Sequence, residues 1–121
     1  MAEPQRAKSF LRLHLGALDH EVFGILHLDN RHRLIAIEDL FRGTVDLAPV
    51  YPREVVKSVI EHKSTAVILY HNHPSGRPHP SSADEEMTRR VKEALALIDV
   101  PVLDHLIVGE QIYSFAEHGM I

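Results

Sequence analysis

Hydrophobic and polar residues follow two different periods along the chain, and the changes of period predict where helices and strands lie. Residues 5–15 place apolar side chains at near-helical spacing, which predicts a short helix. The segments EVFGILHL (21–28) and RLIAIEDL (33–40) are typical of strands, and the turn-forming residues DNRH between them predict a hairpin. FRGTVDL (41–47) continues as extended chain, with Gly43 at a bulge or bend.

The middle of the chain contains a helical segment followed by an apolar run. YPREVVKSVIEHK (51–63) has Pro52 where the first turn of a helix tolerates it. One face of this predicted helix carries Val55, Val56, Val59 and Ile60. STAVILY (64–70) is continuously apolar, which predicts a strand that is buried on both sides.

The last third of the chain predicts one more helix and two more strands. The helix is predicted to begin at Ser82, which would form a capping box with Glu85. Its apolar side carries Met87, Val91, Leu95 and Ile98. PVLDHLIVG (101–109) and QIYSF (111–115) predict two closing strands. Because helices alternate with strands, we expect an α/β fold, a mixed β-sheet flanked by helices, in a single domain over residues 1–121.

Composition limits the classes of function and the compartment. A chain of 121 residues suffices for one domain with a core, and a net charge of −4 gives no global basic field for nucleic acid. The chain has no cysteine, which excludes disulfides and thiolate metal sites and fits a reducing compartment. No apolar run approaches the roughly 18 residues of a membrane span, and the N-terminus has no signal-peptide core. We therefore expect a cytoplasmic protein that does not contact the membrane.

The stretch HNHPSGRPHPSSAD (71–84) carries the candidate chemistry. His71 and His73 end the predicted buried strand, where alternate residues point to the same side, and Asp84 falls in the first turn of the next helix. Two imidazoles, one carboxylate and no sulfur suit a catalytic Zn²⁺ that keeps a fourth position for water. The histidine pair alone is weak evidence, because the chain has ten histidines. The plainer interpretation is a pair of strand-end histidines followed by a helix cap.

Hydrolysis at such a metal also requires a base and a donor for the developing oxyanion. Glu21, which opens the first predicted strand, is the candidate base, and Glu38 in the second strand is its rival. Ser81 or Ser82 is the candidate donor. His105 is expected to be a core histidine, with a hydrogen bond to a metal ligand or substrate as the alternative. An HNH nuclease does not fit, because its motif is spread over a hairpin and a helix, and a zinc deaminase requires cysteines.

The spacing H-x-H, seven residues, Ser, two residues, Asp resembles the metal motif of the JAB1/MPN metalloproteases, the JAMM motif, and EVFGIL resembles the glutamate-bearing strand of that family. FRGTVD, YPREVVK, HNHPSG, TRRVKEALALIDVPVLDHLIVG and YSFAEHGMI resemble segments of its RadC branch. The resemblance implies the JAB1/MPN (cytidine-deaminase-like) architecture and hydrolysis of peptide or isopeptide bonds. It also implies that His71, His73 and Asp84 bind Zn²⁺. Glu21 would then be the general acid/base, and Ser81 would hydrogen-bond the oxyanion.

The resemblance leaves other functions open. The RadC name implies DNA repair, and some modules of this fold bind partners without catalysis. RadC proteins usually carry an N-terminal helix-hairpin-helix region that is missing here, so we expect either an isolated C-terminal domain or a short relative. A peptide or protein substrate is the expected partner. Nucleic acid is supported only by a small basic run, Arg89, Arg90 and Lys92, in a chain of net negative charge.

Overall fold

The computed structural model describes residues 4–43 and 50–121. Within these residues the chain forms three helices and five strands. In chain order they are α1 (Pro4–Leu15), β1 (Val22–Leu28), β2 (Leu34–Arg42), α2 (Pro52–His62), β3 (Ala66–Asn72), α3 (Ser82–Ala96), β4 (Val102–Val108) and β5 (Ile112–Ser114). Residues 44–47 of the predicted extended segment lie outside the described residues. Among the described helices, none has the length and apolar character needed to cross a membrane.

The five strands form one mixed sheet in the order β2-β1-β3-β4-β5. β3 and β4 are parallel, whereas the other neighbouring strands are antiparallel. A parallel pair requires a crossover connection, which α3 provides here. The predicted α/β class, with a mixed sheet flanked by helices, is therefore confirmed, and it is consistent with a JAB/MPN domain.

The sheet has a separate hydrophobic core on each face. Successive residues of β1 and β3 point to opposite faces, and both strands are buried along their whole length. One face packs against α1, and its core includes Leu11, Leu15, Leu26 and Tyr70. The other face packs against α2 and α3, and its core includes Ile25, Val59, Leu69 and Val91. Because odd-numbered residues of β3 face α2 and α3, His71 lies on that side of the sheet.

Gly24 in β1 makes room for a tyrosine on the α1 face. A Cβ at Gly24 would lie 2.2 Å from Cζ of Tyr70 and 2.4 Å from the carbonyl oxygen of Glu38. The ring of Tyr70 therefore passes over β1, and its hydroxyl donates to Asp39 of β2 at 2.6 Å. His14 of α1 contacts the same carboxylate at 2.9 Å. The glycine of EVFGIL thus lets one buried side chain connect three strands and α1.

The predicted capping box of α3 is wrong by one residue. Ser81, not Ser82, is the N-cap, because its backbone is extended (φ −81°, ψ 167°) and the helix begins at Ser82. The third helical residue is then Asp84 rather than Glu85, and it closes the box with Ser81. Both serines have an acid three residues later, so spacing did not distinguish them. The correction changes the site, because the cap orients Asp84.

Three other features differ from the predicted elements. β3 begins and ends two residues later than predicted, so His71 lies within the strand. Ile60 lies in the last turn of α2 and is 59% exposed, so it does not share the buried face of Val55 and Val59. Ile98 lies beyond the end of α3, which the C-cap Leu97 closes, and is also exposed.

Candidate metal centre

Three side chains meet at the C-terminal end of β3. His71 lies in the strand and is fully buried, His73 follows the strand and is largely buried, and Asp84 is fully buried in the first turn of α3. Nε2 of His71 is 3.0 Å from Nε2 of His73. The carboxylate of Asp84 places Oδ2 3.0 Å from Nε2 of His73 and Oδ1 3.2 Å from Nε2 of His71. We call these three residues the motif cluster.

Backbone hydrogen bonds hold the loop that carries His73. Its N–H donates to the carbonyl of Val108 in β4 at 2.9 Å, and its carbonyl accepts from Gly76 at 2.9 Å. The carbonyl of Gly76 in turn accepts from the N–H of Glu110 at 2.7 Å. Gly76 has φ 90°, a conformation that glycine adopts without strain. The loop is thereby attached to β4, which keeps His73 beside His71.

The cap of α3 orients the third member of the motif cluster. The N–H of Asp84 donates to Oγ of Ser81 at 3.0 Å, and the N–H of Ser81 donates to Oδ2 of Asp84 at 2.9 Å. The positive end of the helix dipole further favours an ionised carboxylate at this position. Oδ1 of Asp84 is buried and makes no hydrogen bond within the described residues. One carboxylate oxygen is therefore held by the cap, and the other is available to a ligand.

The tautomer of His73 follows from its partner. Nδ1 of His73 lies 2.7 Å from the carbonyl oxygen of Arg77. A carbonyl can only accept, so Nδ1 carries the proton of the neutral ring. Nε2 of His73 therefore presents a lone pair to the motif cluster, as a metal ligand must.

A chain of hydrogen bonds fixes the tautomer of His71. The hydroxyl of Thr88 donates to the carbonyl of Asp84 at 2.7 Å, so it accepts from Nδ1 of His105 at 2.6 Å. Nε2 of His105 then has no proton and accepts from Nδ1 of His71 at 2.7 Å. Because a neutral imidazole carries one proton, Nε2 of His71 also presents a lone pair. Both histidines are thus prepared as Nε2 ligands.

The electrostatics of the motif cluster favour a positive charge. Burial alone would raise the pKa of Asp84, but the close contacts of its carboxylate with the imidazoles of His71 and His73 hold it well below its usual range. Burial alone would lower the pKa of His73, but Asp84, the carbonyl of Arg77 and the charge of Glu21 raise it. Burial lowers the pKa of His71. The ionised carboxylates therefore attract one positive charge to this point, which either a proton or a metal ion can supply.

The donor set fits Zn²⁺. Zinc binds imidazole nitrogen and carboxylate oxygen at about 2.0–2.2 Å in a tetrahedral arrangement, which puts neighbouring ligand atoms roughly 3.3 Å apart. The separations of 3.0 and 3.2 Å in the motif cluster are close to this value. Oδ1 of Asp84, buried without a hydrogen bond among the described residues, is an oxygen that an ion would satisfy.

Glu21 directly precedes β1 and lies on the same face of the sheet as the motif cluster. In the antiparallel pairing of β1 with β3, Phe23 is opposite His71. Continuing that register by two residues brings Glu21 opposite His73. The side chain is largely buried, and its charge contributes to the raised pKa of His73. The predicted acid is thus close enough to His73 for its charge to act on that ring.

Asn72 fixes the backbone on both sides of Glu21. Its Oδ1 accepts from the N–H of Val22 at 2.7 Å, and its Nδ2 donates to the carbonyl of His20 at 2.9 Å. The side chain of Asn72 is only 2% exposed, so these two bonds replace the hydrogen bonds that it would make to water. The middle residue of the HNH triplet therefore positions the glutamate and is not a member of the motif cluster.

The other predicted residues lie at two different places. Ser81 is exposed at the N-cap of α3, and because its Oγ accepts from Asp84, its hydroxyl proton remains available to a further acceptor. Glu38, the rival of Glu21, contacts Ser58 and His27 at the far end of β1. The geometry favours Glu21 over Glu38 as the acid beside the motif cluster. The roles of Glu21 and Ser81 in a reaction stay predictions.

Sequence reasoning missed part of the support of the motif cluster. It expected His105 to be a core histidine rather than a partner of a metal ligand; the structure shows it fully buried and bonded to His71, whose role as a ligand stays a prediction. Thr88 was not considered, although its position four residues after Asp84 places the two on one side of α3. Asn72 was not considered either, because its bonds depend on the pairing of β1 with β3.

The fold and the motif cluster together define a class of protein. It is a mixed α/β domain in which a buried central strand ends in a His-x-His pair and the following helix supplies an aspartate. The family model of the RadC-like JAB domain matches residues 1–120, and the chain belongs to this family.

Curated relatives are similar over nearly the whole chain. A UPF0758 protein of Vibrio cholerae is 52% identical over 120 residues, which cover 99% of this chain and 76% of the relative. A UPF0758 protein of Leptothrix cholodnii is 58% identical over 119 residues, covering 98% of this chain and 54% of the relative. A UPF0758 protein of Nitrosomonas eutropha is 56% identical over 122 aligned residues, which cover 100% of this chain and 54% of the relative. The chain thus spans about half the length of the last two relatives.

Proposed function

We propose that this RadC-like JAB domain is a zinc-dependent metallohydrolase that cleaves peptide or isopeptide bonds, with His71, His73 and Asp84 as the zinc ligands. One observation carries the proposal. Two Nε2 lone pairs and an ionised carboxylate converge within 3.2 Å, and separate hydrogen bonds fix each imidazole in the tautomer that a metal requires. A helix cap needs neither the histidine pair nor the chain through His105 and Thr88.

The residues around the motif cluster have complementary roles in hydrolysis of an amide. When bound there, Zn²⁺ supplies a Lewis acid that polarises a carbonyl and lowers the pKa of water to about 7. Glu21 accepts a proton from the attacking water and delivers it to the leaving amine nitrogen. Asn72 keeps Glu21 at the position from which it can do so, through its bonds to Val22 and His20.

Ser81 stabilises the charge that develops on the carbonyl oxygen of the substrate. Its Oγ accepts from the N–H of Asp84, which holds the oxygen in place and leaves the hydroxyl proton for the substrate oxygen. A donor held in advance costs little reorganisation during the reaction. Ser81 thus has two compatible functions, as the cap of α3 and as the donor to the oxyanion.

A cleft that His73 shares with residues on the α1 side of the sheet is the proposed place for a part of the substrate chain remote from the reacting bond. It has a volume of about 140 Å³ and is lined by Leu15, Leu18, Pro74 and Glu110, among other residues. This volume holds one small side chain rather than a folded partner. The proposed substrate is therefore an extended peptide or a flexible tail.

Metal content and hydrolysis test the proposal together. Tag-free protein and an Asp84→Ala variant are analysed by elemental mass spectrometry, with Glu85→Ala as the matched control because Glu85 is exposed in the same helical turn. We expect zinc bound at the motif cluster in the wild type and the control, and its loss in Asp84→Ala. The wild type and the control, which retain zinc at the motif cluster, should cleave peptide and isopeptide-linked substrates, and Asp84→Ala should not.

Two results would count against the proposal. Equal zinc content in the wild type and Asp84→Ala, after incubation with Zn²⁺, would show that the motif cluster does not hold the ion. Zinc binding without cleavage of any substrate in the panel would favour a module that binds a partner without catalysis. DNA binding that weakens steeply with salt would instead support the repair function that the RadC name implies.

A further inference from the structure

A second group of two histidines and a glutamate lies on the same face of the sheet, at its opposite end. His27 of β1, Glu38 of β2 and His62 of α2 each offer one ligand atom, and the three atoms lie within 4.8 Å of one another. His27 pairs with Val67, four residues before His71 in β3, and four residues of strand span about 13 Å. We call this group the hairpin cluster, and it is separate from the motif cluster.

The imidazole of His27 is completely buried on the side of β1 that packs against α2. Its Nδ1 is 2.5 Å from Oγ of Ser64. Its Nε2 is 3.2 Å from Oγ of Ser58 and 3.4 Å from the carboxylate of Glu38. The hydroxyl of Ser58 donates to Glu38 and so accepts from Nε2 of His27, which means that an ion binds at Nε2 only after the proton moves to Nδ1.

The ring of His62 is oriented by its own helix. Its Nδ1 is 2.8 Å from the carbonyl oxygen of Ser58, one turn earlier in α2. Since a carbonyl can only accept, Nδ1 carries the proton and Nε2 has the lone pair. The ring stacks on that of His27 with centroids 4.0 Å apart and an interplanar angle of 17°. Because the two ring planes are nearly parallel, the lone pairs do not point at one position, and a shared ion requires one ring to turn out of the stack.

Ser64 lets His27 change tautomer without losing a bond. A serine hydroxyl can donate or accept, so it accommodates a proton on either ring nitrogen of His27. The side chain of Glu38 is 31% exposed, which gives an ion access from solvent.

We propose that the hairpin cluster is a second Zn²⁺ site, with His27, Glu38 and His62 as ligands and the Ser58 hydroxyl beside them. Imidazole nitrogen and carboxylate oxygen are ligands that zinc takes, and the chain offers no thiolate. Each ligand belongs to a different element, so the ion cross-links β1, β2 and α2. The site is structural, because it lies away from the motif cluster and stabilises the folded state by binding to it alone.

Zinc stoichiometry separates the two sites. Tag-free protein is stripped with a chelator, dialysed against micromolar Zn²⁺ and analysed by elemental mass spectrometry. The variants are Asp84→Ala, His62→Ala and the double variant, with His32→Asn as a control on an exposed histidine whose φ of 58° asparagine tolerates. We expect about two ions in the wild type and control, one in each single variant and none in the double variant.

The comparison of Asp84→Ala with the double variant decides the proposal. Equal zinc content in these two proteins would overturn it and leave a hydrogen-bonded network of His27, Ser58 and Glu38. Circular dichroism establishes that each variant is folded. If His62→Ala does not fold, Glu38→Gln in the Asp84→Ala background replaces it, because the amide keeps the shape of the carboxylate and removes its charge.

A thermal measurement tests the cross-link independently of catalysis. In the Asp84→Ala background, Zn²⁺ at a hundredfold excess over its Kd should raise Tm by roughly 10 °C. Adding His62→Ala should abolish this rise. If Zn²⁺ leaves the Tm of the Asp84→Ala protein unchanged, the hairpin cluster is not a structural zinc site. Neither result depends on whether the motif cluster catalyses hydrolysis.

Discussion

The motif cluster and the hairpin cluster share a face of one sheet and the same types of side chain, yet they are built differently. In the motif cluster, two side chains come from one strand end and the third from the helix that follows it, and the histidines are bonded to a carbonyl and to another histidine. In the hairpin cluster, three elements contribute one residue each, and serine hydroxyls surround the ring of His27. Both tautomers of the motif cluster are fixed, whereas in the hairpin cluster a carbonyl fixes only His62 and the hydroxyl of Ser64 accommodates either tautomer of His27. The first arrangement suits a prepared active site, and the second suits a group that adjusts to what it binds.

The sharpest test of this difference is Glu21→Gln. The amide cannot accept a proton, so hydrolysis should fall by about 10²–10⁴-fold while zinc content stays the same. The measurement is kcat/KM on a cleaved substrate beside elemental analysis, with the exposed Glu61→Gln as control. Unchanged hydrolysis in Glu21→Gln, with loss in Glu38→Gln, would reverse the assignment and move catalysis to the hairpin cluster.

A smaller effect is expected from Thr88→Val, which removes the hydroxyl without changing the shape of the side chain. Nδ1 of His105 then loses its acceptor, and the tautomer of His71 is no longer fixed. Zinc affinity at the motif cluster should fall about 10–100-fold, as measured by competition with a chelating indicator. Thr88→Ser should restore most of it, and Thr65→Val at an exposed position should have no effect. An unchanged affinity in Thr88→Val would show that the chain does not prepare His71.

The smallest effect concerns the opposite face, where Tyr70 donates to Asp39 away from both clusters. Tyr70→Phe should lower the free energy of unfolding by about 1.5–3 kcal/mol, because the Asp39 carboxylate loses a donor. Urea unfolding with and without Zn²⁺ measures this change, which should be the same in both conditions. A loss that depended on zinc would show that the two faces are coupled.

The hydrogen bond between Tyr70 and Asp39 also predicts how the stability of the fold depends on pH. Burial alone would raise the pKa of Asp39, but hydrogen bonds from Tyr70 and His14 lower it below its ordinary value. A lowered pKa stabilises the folded state above the unfolded-state pKa of about 3.9, and this contribution is lost as the pH falls through the lower folded-state value. On acidification, the Tyr70→Phe variant should lose less free energy of unfolding than the wild type. Equal acid sensitivity in both proteins would contradict this assignment.

The sequence could predict the motif cluster because its members are close along the chain. Strand alternation brings His71 and His73 together, and the first turn of the next helix returns Asp84 to the same edge. The hairpin cluster could not be predicted, since its three residues are separated by 11 and 24 positions and meet only through the strand order and the placement of α2. The position of the capping box was predicted wrongly by one residue, because the backbone conformation of Ser81, and not the spacing of the residues, decides where the helix begins.

The parallel pairing of β3 with β4 has a consequence for the order in which the protein becomes able to bind zinc. The two strands become neighbours only after α3 has crossed between them, and that crossover also brings Thr88 and His105 together. Pairings that close such long loops form slowly. A nascent chain that has made only β1, β2 and β3 therefore has both histidines of the motif but neither Asp84 in place nor His71 in a fixed tautomer. The zinc binding proposed for the motif cluster therefore requires that the C-terminal half has folded, so a partly made chain would not hold the ion tightly.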